Sequence, residues 1–299
     1  MPIESSSLSY PSVRAAELSG TSEKSAASAA NQKTAAPRDE VILSAQTVKV
    51  SSAQAGRKIE EIYKHKVNED YASDEYAVDF KDYFSVDDLS GLSDEQKRKI
   101  KEVIKEAVAV DKKVSEYRNT PEQYAQSFAQ MKMKLDFIAL HVVPDSFKEQ
   151  MLAANTKFIG DKTDQFNQAM ENFEQSVHTW AVHQSGPSAQ KLMRSSAQEL
   201  EALRSGSSAI QTMQTKYLKA ADKVTESDSD QFVVNFKSAL RSGADVQSDN
   251  LNQYAESTVS NNKYIGFLTD DWNALISSIG DFEQYLVPTT DHPLIDRQV

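Results

Sequence analysis

Two helix starts are spelled in almost the same letters along this chain: Ser93-Asp94-Glu95-Gln96 and Thr120-Pro121-Glu122-Gln123. In each, a hydroxyl residue at the N-cap is followed three positions later by a glutamine that reaches back to the cap, with acidic side chains in the first turn. Pro121 adds a fixed φ suited to the first helical position. Behind the first start, Ile100, Val103, Ile104, Ala107, Val108, Val114 and Tyr117 recur at threes and fours. Behind the second, Tyr124, Phe128, Met131, Leu135, Ile138 and Val142 do the same until Pro144. That spacing is one face of an α-helix.

The pattern fills most of the chain. Ile59, Ile62, Tyr63 and Val67 predict a helix over about 52–67, and Phe166, Met170, Phe173, Val177 and Trp180 predict another that ends at Ser185-Gly186-Pro187. Further stretches follow: a helix over about 188–204, Ile210 to Val224, Phe232 to Leu240, Leu251 to Val259, and Trp272 with Leu275, Ile276, Ile279 and Leu286. Only 9 Gly and 8 Pro punctuate 299 residues, too few for a loop-rich fold. The expectation is an all-α, elongated multi-helix bundle of about eight amphipathic helices. The bundle is expected over residues 51–287, with 185–187 as the place where it would divide, and residues 288–299 as a tail. The acidic stretch also fits a helix, because Tyr76, Phe80, Tyr83 and Phe84 fall at i, i+4, i+7 and i+8.

Residues 1–50 read differently. They are rich in Ser and Ala, with Pro2, Pro11 and Pro37 as breakers, and bury too little apolar surface to offset the entropy of ordering. A disordered leader is expected. Val41, Leu43, Val48 and Val50 alternate like strand positions, but the run is short. The leader has neither a basic n-region nor an apolar h-region, which excludes a Sec signal peptide. No apolar window is long enough for a membrane span. The chain has no Cys, which removes thiolate catalysis, disulfides and Cys-based zinc sites together.

Net charge is −11, and most of it is concentrated: residues 67–95 carry ten Asp/Glu against Lys81 alone. Nucleic acid is excluded as a general partner by like-charge repulsion. Within this stretch Asp74, Asp79, Asp82, Asp87 and Asp88 alternate with Tyr76, Phe80, Tyr83 and Phe84. One reading is a solvated acidic helix face. The other is a docking segment for a basic protein partner, with rings as anchors and carboxylates steering association. No EF-hand loop spacing accompanies the carboxylates. Glu174 and His178 stand at i, i+4 with His183 beyond, but His183 lies on another side of the helix, so surface histidines are expected rather than a metal site. His141, inside an apolar run, reads as a core or interface histidine. From Lys97 to Lys113 seven Lys/Arg interleave with Glu102, Glu106 and Asp111, a salt-laced helix face. No phosphate-binding loop, nucleophile elbow or zinc-protease motif occurs. No enzymatic activity, cofactor or metal is expected.

Asp39-Glu40-Val41-Ile42-Leu43-Ser44 fits a D-x-V-x-L-S pattern. It resembles a segment near the N-terminus of flagellar anti-sigma factors and of other flagellum-associated, type III-exported bacterial proteins. There too a Ser/Ala/Gln-rich leader precedes it and a helix follows. The resemblance covers only residues 1–66, and sigma-factor binding does not carry over to the body. It implies a protein that is cytoplasmic before type III export and secreted without a cleaved signal. Asp39, Val41, Leu43 and Ser44 would form a linear motif read in extended form, and a secretion-apparatus component or chaperone would be the partner. The alternative is a cytoplasmic regulatory or chaperone-like module whose segment 67–95 masks a basic partner. A homo-oligomer built from exposed stripes is a third class.

Overall fold

The structure is a computed structural model that describes residues 48–69, 71, 79–109, 120–225, 270–275 and 277. Its described residues are mostly helical. Six longer helices follow one another: α1 Ser52–Tyr63, α2 Asp94–Val108, α3 Pro121–His141, α4 Lys148–Val182, α5 Pro187–Ser205 and α6 Ala209–Thr225. A short helical segment at 270–275 adds to them. Both capping boxes read from the sequence are formed: Ser93 with Gln96, and Thr120 with Gln123. A third, Ser51 with Gln54, opens α1, which continues as a π-helical stretch Lys64–Glu69. Helices expected over 232–240 and 251–259 lie outside the described residues, as do Ile276, Ile279 and Leu286.

α3 is the axis. It packs against α2, α4 and α6, and the 270–275 segment reaches it through Lys134 and Phe137. In consequence 17 of its 21 residues are buried. This corrects the expectation of a one-sided stripe. A helix surrounded by neighbours has no water-facing side, and its polar residues must find partners inside.

α4, at 35 residues, spans roughly 50 Å at the α-helical rise and carries the aromatic layer. Its Phe166 meets Tyr124 at 4.4 Å between ring centroids, Phe128 at 5.8 Å and Tyr71 at 5.5 Å. Phe173 meets Tyr63 edge-on at 5.3 Å. Edge-to-face pairs of this kind add about 0.5–1.5 kcal/mol beyond area burial.

The Ser185-Gly186-Pro187 turn reverses the chain so that α5 packs back along α4. Gly186 has φ of 100°, and a Cβ there would lie 3.4 Å from the Lys49 Cγ. That close approach is a strand contact: β1, Val48–Lys49, pairs in parallel with β2, Gln184–Ser185, in register Val48 to Gln184. The Val50 N–H extends the pairing by donating to Ser185 O at 3.2 Å. The strand-like alternation at the end of the leader thus has a partner, two residues long and 136 positions away. Among the described residues no helix is long and apolar enough to cross a membrane.

Candidate functional site

The acidic segment departs from the helix expected of it. Residues Phe80–Asp82 and Val86–Asp88 form two separate 3-10 turns. Crowded carboxylates three and four apart disfavour a continuous helix. Asp79 moreover captures a local donor, accepting from the Lys81 N–H at 3.1 Å, which holds the chain in a turn.

The described rings of the acidic aromatic run, Phe80, Tyr83 and Phe84, face inward. Phe80 and Phe84 are buried, and Phe80 packs edge-on against Phe158 of α4 at 5.2 Å. Tyr83, half-buried, lies against the same Phe158 at 5.5 Å and donates its hydroxyl proton to Asp161 Oδ2 at 2.6 Å. Burial, reinforced by that carboxylate, pushes the Tyr83 phenol up to about 12. The Lys157 ammonium sits 5.6 Å from its ring centroid. The rings therefore anchor the segment to α4.

What reaches water is carboxylate. Asp79, Asp82, Asp87 and Asp88 are all exposed. Asp79 pairs with Lys81 at 2.8 Å, and hydrogen bonding to Lys81 lowers its pKa. Asp87 pairs with Lys101 of α2 at 2.6 Å and is lowered by that bond, while Lys97 donates to its backbone carbonyl at 2.7 Å. Asp82 and Asp88 make no ion pair among the described residues. Asp74 and Tyr76, with the linear-motif residues Asp39, Val41, Leu43 and Ser44, lie outside the described residues.

A second constellation was not visible to sequence reasoning: a polar seam through the buried α3. Lys134, wholly buried, pairs with Asp271 at 2.5 Å, and Gln130 donates to the same carboxylate oxygen at 3.2 Å. Two residues before Lys134, on another side of α3, Lys132 bridges Asp136 at 2.5 Å and Asp222 of α6 at 2.8 Å, and Asn155 of α4 donates to Asp136 at 2.9 Å. Burial raises the Asp136 pKa against the pull of Lys132 and Asn155. Burial also opposes the Lys132 charge, but its two carboxylates outweigh it and raise the ammonium's pKa. Toward the helix start, Gln126 donates to the Tyr217 hydroxyl at 2.9 Å, which donates to Glu122 at 2.8 Å. Burial and the Glu122 charge push the Tyr217 phenol well up, so it keeps the proton it donates. The one sequence signal for this seam is that α3 carries glutamines and no charge from Gln123 to Met131, unlike a solvent-facing helix surface.

The histidines separate by environment. His183 is exposed. His178 is only half exposed, which corrects the surface place expected of it: α5 folds back over it. Glu174 is buried. The His178 Nδ1 lies 3.1 Å from the Met193 carbonyl and 3.2 Å from Ser196 Oγ. A carbonyl only accepts, so this nitrogen carries the proton. His178 lines an open depression between α4 and α5 with Gln175, Leu200, Glu201 and Arg204. Burial and Lys148 lower the pKa of His141, whose ring lies 4.3 Å from Phe137. Among the described residues no three His, Asp or Glu cluster closely enough to hold a metal ion.

Comparison with protein-family models, curated proteins and solved structures finds no match to this chain.

Proposed function

We propose that this is a non-enzymatic helical protein, exported by or accessory to a bacterial type III or flagellar-type secretion system, that acts through protein–protein contacts. The observation that carries the reading is the order of parts along the chain. The DEVILS motif ends at Ser44, β1 begins at Val48, and the first buried side chain among the described residues is Val50. An address read as an extended peptide is best carried ahead of the packed body, and in the sequence this one ends three residues before β1. A body threaded through a narrow gate must also give way. Buried ion pairs such as Lys134–Asp271 fix an arrangement while adding little net stability over apolar packing, which suits a cargo that unfolds.

The test is fractionation of the host culture with three forms: full-length chain, a deletion of residues 1–38, and Val41→Asp/Leu43→Asp. Full-length protein in the medium, lost in the other two, is the expected result. Retention of all three forms inside the cell overturns the export reading.

A second reading is favoured by Asp82 and Asp88, exposed and without ion pairs among the described residues, on two turns of a segment whose Phe80 and Tyr83 rings pack against α4. In it the chain is a cytoplasmic regulatory or chaperone-like module whose acidic segment covers a basic partner. Neutralising Asp74, Asp79, Asp82, Asp87 and Asp88 together would then abolish partner capture while deletion of the leader leaves it intact.

A further inference from the structure

Two carboxylates share one ammonium where three helices meet. Lys132 of α3 lies 2.5 Å from Asp136 Oδ2 on its own helix and 2.8 Å from Asp222 Oδ1 of α6. Asn155 of α4 donates its amide to Asp136 Oδ1 at 2.9 Å. With every group ionised the cluster carries one negative charge in excess, so it has room for one proton. Solvent decides which carboxylate takes it. The Asp222 side chain is 53% exposed and keeps its charge in water, whereas that of Asp136 is 3% exposed and rests on Lys132 and Asn155.

Asn155 suits either state of Asp136. Its Nδ2 donates to the carboxylate; turned by half a rotation, its Oδ1 would accept the proton of a neutral carboxyl. That oxygen is buried and has no partner among the described residues, so the rotation breaks no hydrogen bond there. The other charged pair of the seam, Lys134 with Asp271, stands on another side of α3. Lys219, one turn before Asp222, is exposed. Among the described residues, Asp136 is thus faced by Lys132, Asp222 and Asn155.

The proton changes what Lys132 does. While Asp136 is ionised, the ammonium divides its attraction between two carboxylates. Once Asp136 is neutral, that attraction goes to Asp222, which ties the last turn of α6 to α3 by charge. Burial raises the Asp136 pKa. The contribution of the neutral carboxyl is therefore complete below the unfolded value near 3.9 and is lost as pH rises through the raised folded value. We propose that Asp136, Lys132 and Asp222 form a proton-operated clasp, in which uptake of one proton by Asp136 tightens the hold of α3 on the end of α6. The inference is independent of the export reading and stands or falls without it.

Hydrogen–deuterium exchange of residues 216–225 in the full-length chain tests it, followed from about pH 7 to about pH 4.5 and corrected for the intrinsic pH dependence of exchange. A local readout is needed because His141 titrates with the opposite sign. In the wild type the corrected exchange should slow by about threefold or more on acidification, one pKa unit being worth about tenfold in an equilibrium constant. Asp136→Asn sets an uncharged amide in place of the neutral carboxyl and should hold the slow rate at both ends of the range. A wild-type rate that does not slow, or a step that persists undiminished in Asp136→Asn, overturns the proposal. Should that variant fail to fold by circular dichroism, carboxyl-carbon NMR of the wild type decides. Asp136 titrating above about 3.9, with the Asp222 amide signal moving at the same midpoint, supports the clasp. Titration at or below that value, or no response in Asp222, overturns it.

Discussion

Lys134 and Asp271 meet at 2.5 Å with their side chains 0% and 2% exposed, so a charge on the central helix is neutralised by one that the chain supplies 137 residues later. The geometry decides how each partner responds to removal. Lys134→Met takes from the buried Asp271 carboxylate the ammonium that lies 2.5 Å away and is expected to cost about 3–5 kcal/mol. The double variant Lys134→Met/Asp271→Leu removes both charges and should return to wild-type stability or above it. Urea unfolding of the three proteins checks this; equal losses in the single and double variants would show that packing, and not the charge, carries the effect.

The acidic segment separates anchors from surface. Phe80→Ala opens a cavity against Phe158 and is expected to destabilise by about 3–5 kcal/mol. Asp82→Asn and Asp88→Asn, at exposed positions without ion pairs among the described residues, should each stay within about 0.5 kcal/mol of wild type. Thermal melts of the three variants distinguish them, and a large loss in either Asp variant would mean that these carboxylates hold the fold together.

Tyr83 gives a spectroscopic mark of the same contact. Its phenol is raised to about 12 by burial and by Asp161, so the stability it contributes is fully present below the ordinary tyrosine pKa and is lost as pH rises through about 12. Ultraviolet titration should show a tyrosine ionising through about 12, with Tyr217 later still. The step near 12 should vanish in Tyr83→Phe while the Tyr217 step stays; persistence of the step near 12 would assign it to another tyrosine.

His141 contributes with the opposite sign. Burial and Lys148 lower its pKa, so the neutral ring is favoured in the fold. Its contribution is complete above the unfolded value near 6.5 and is lost as pH falls through the lower folded value. The melting temperature is expected to drop on acidification below neutrality, and His141→Gln should flatten that slope. An unchanged slope in the variant would place the acid sensitivity elsewhere.

Gly206 ends α5 in the left-handed region with φ of 74°, where Ser207 N–H returns to the Ala202 carbonyl at 2.9 Å. Space for a side chain exists there, so Gly206→Ala tests backbone conformation alone and should cost about 1 kcal/mol. A neutral result by urea unfolding would show that the cap relaxes.

The sequence by itself determined what depends on near neighbours. Ser93 with Gln96 and Thr120 with Gln123 cap the helices they were read to cap, because a capping box is closed within four residues. Ile100, Val103, Ile104 and Ala107 of α2 and Phe166, Met170, Phe173 and Val177 of α4 are buried as their spacing requires, since periodicity is a property of one helix. Where two local signals competed, at residues 80–88, the aromatic spacing pointed to a helix while carboxylate crowding and the Asp79 turn prevailed. Only the tertiary structure decided which faces meet water. Gln126, Gln130 and Lys134 lie off the apolar stripe of α3, and they are buried because Tyr217 of α6 and Asp271 meet them. His178 read as surface, and α5 folds over it. Burial of a polar side chain is settled by elements that arrive from far along the chain, and a residue's own neighbours in sequence carry no record of which element that is.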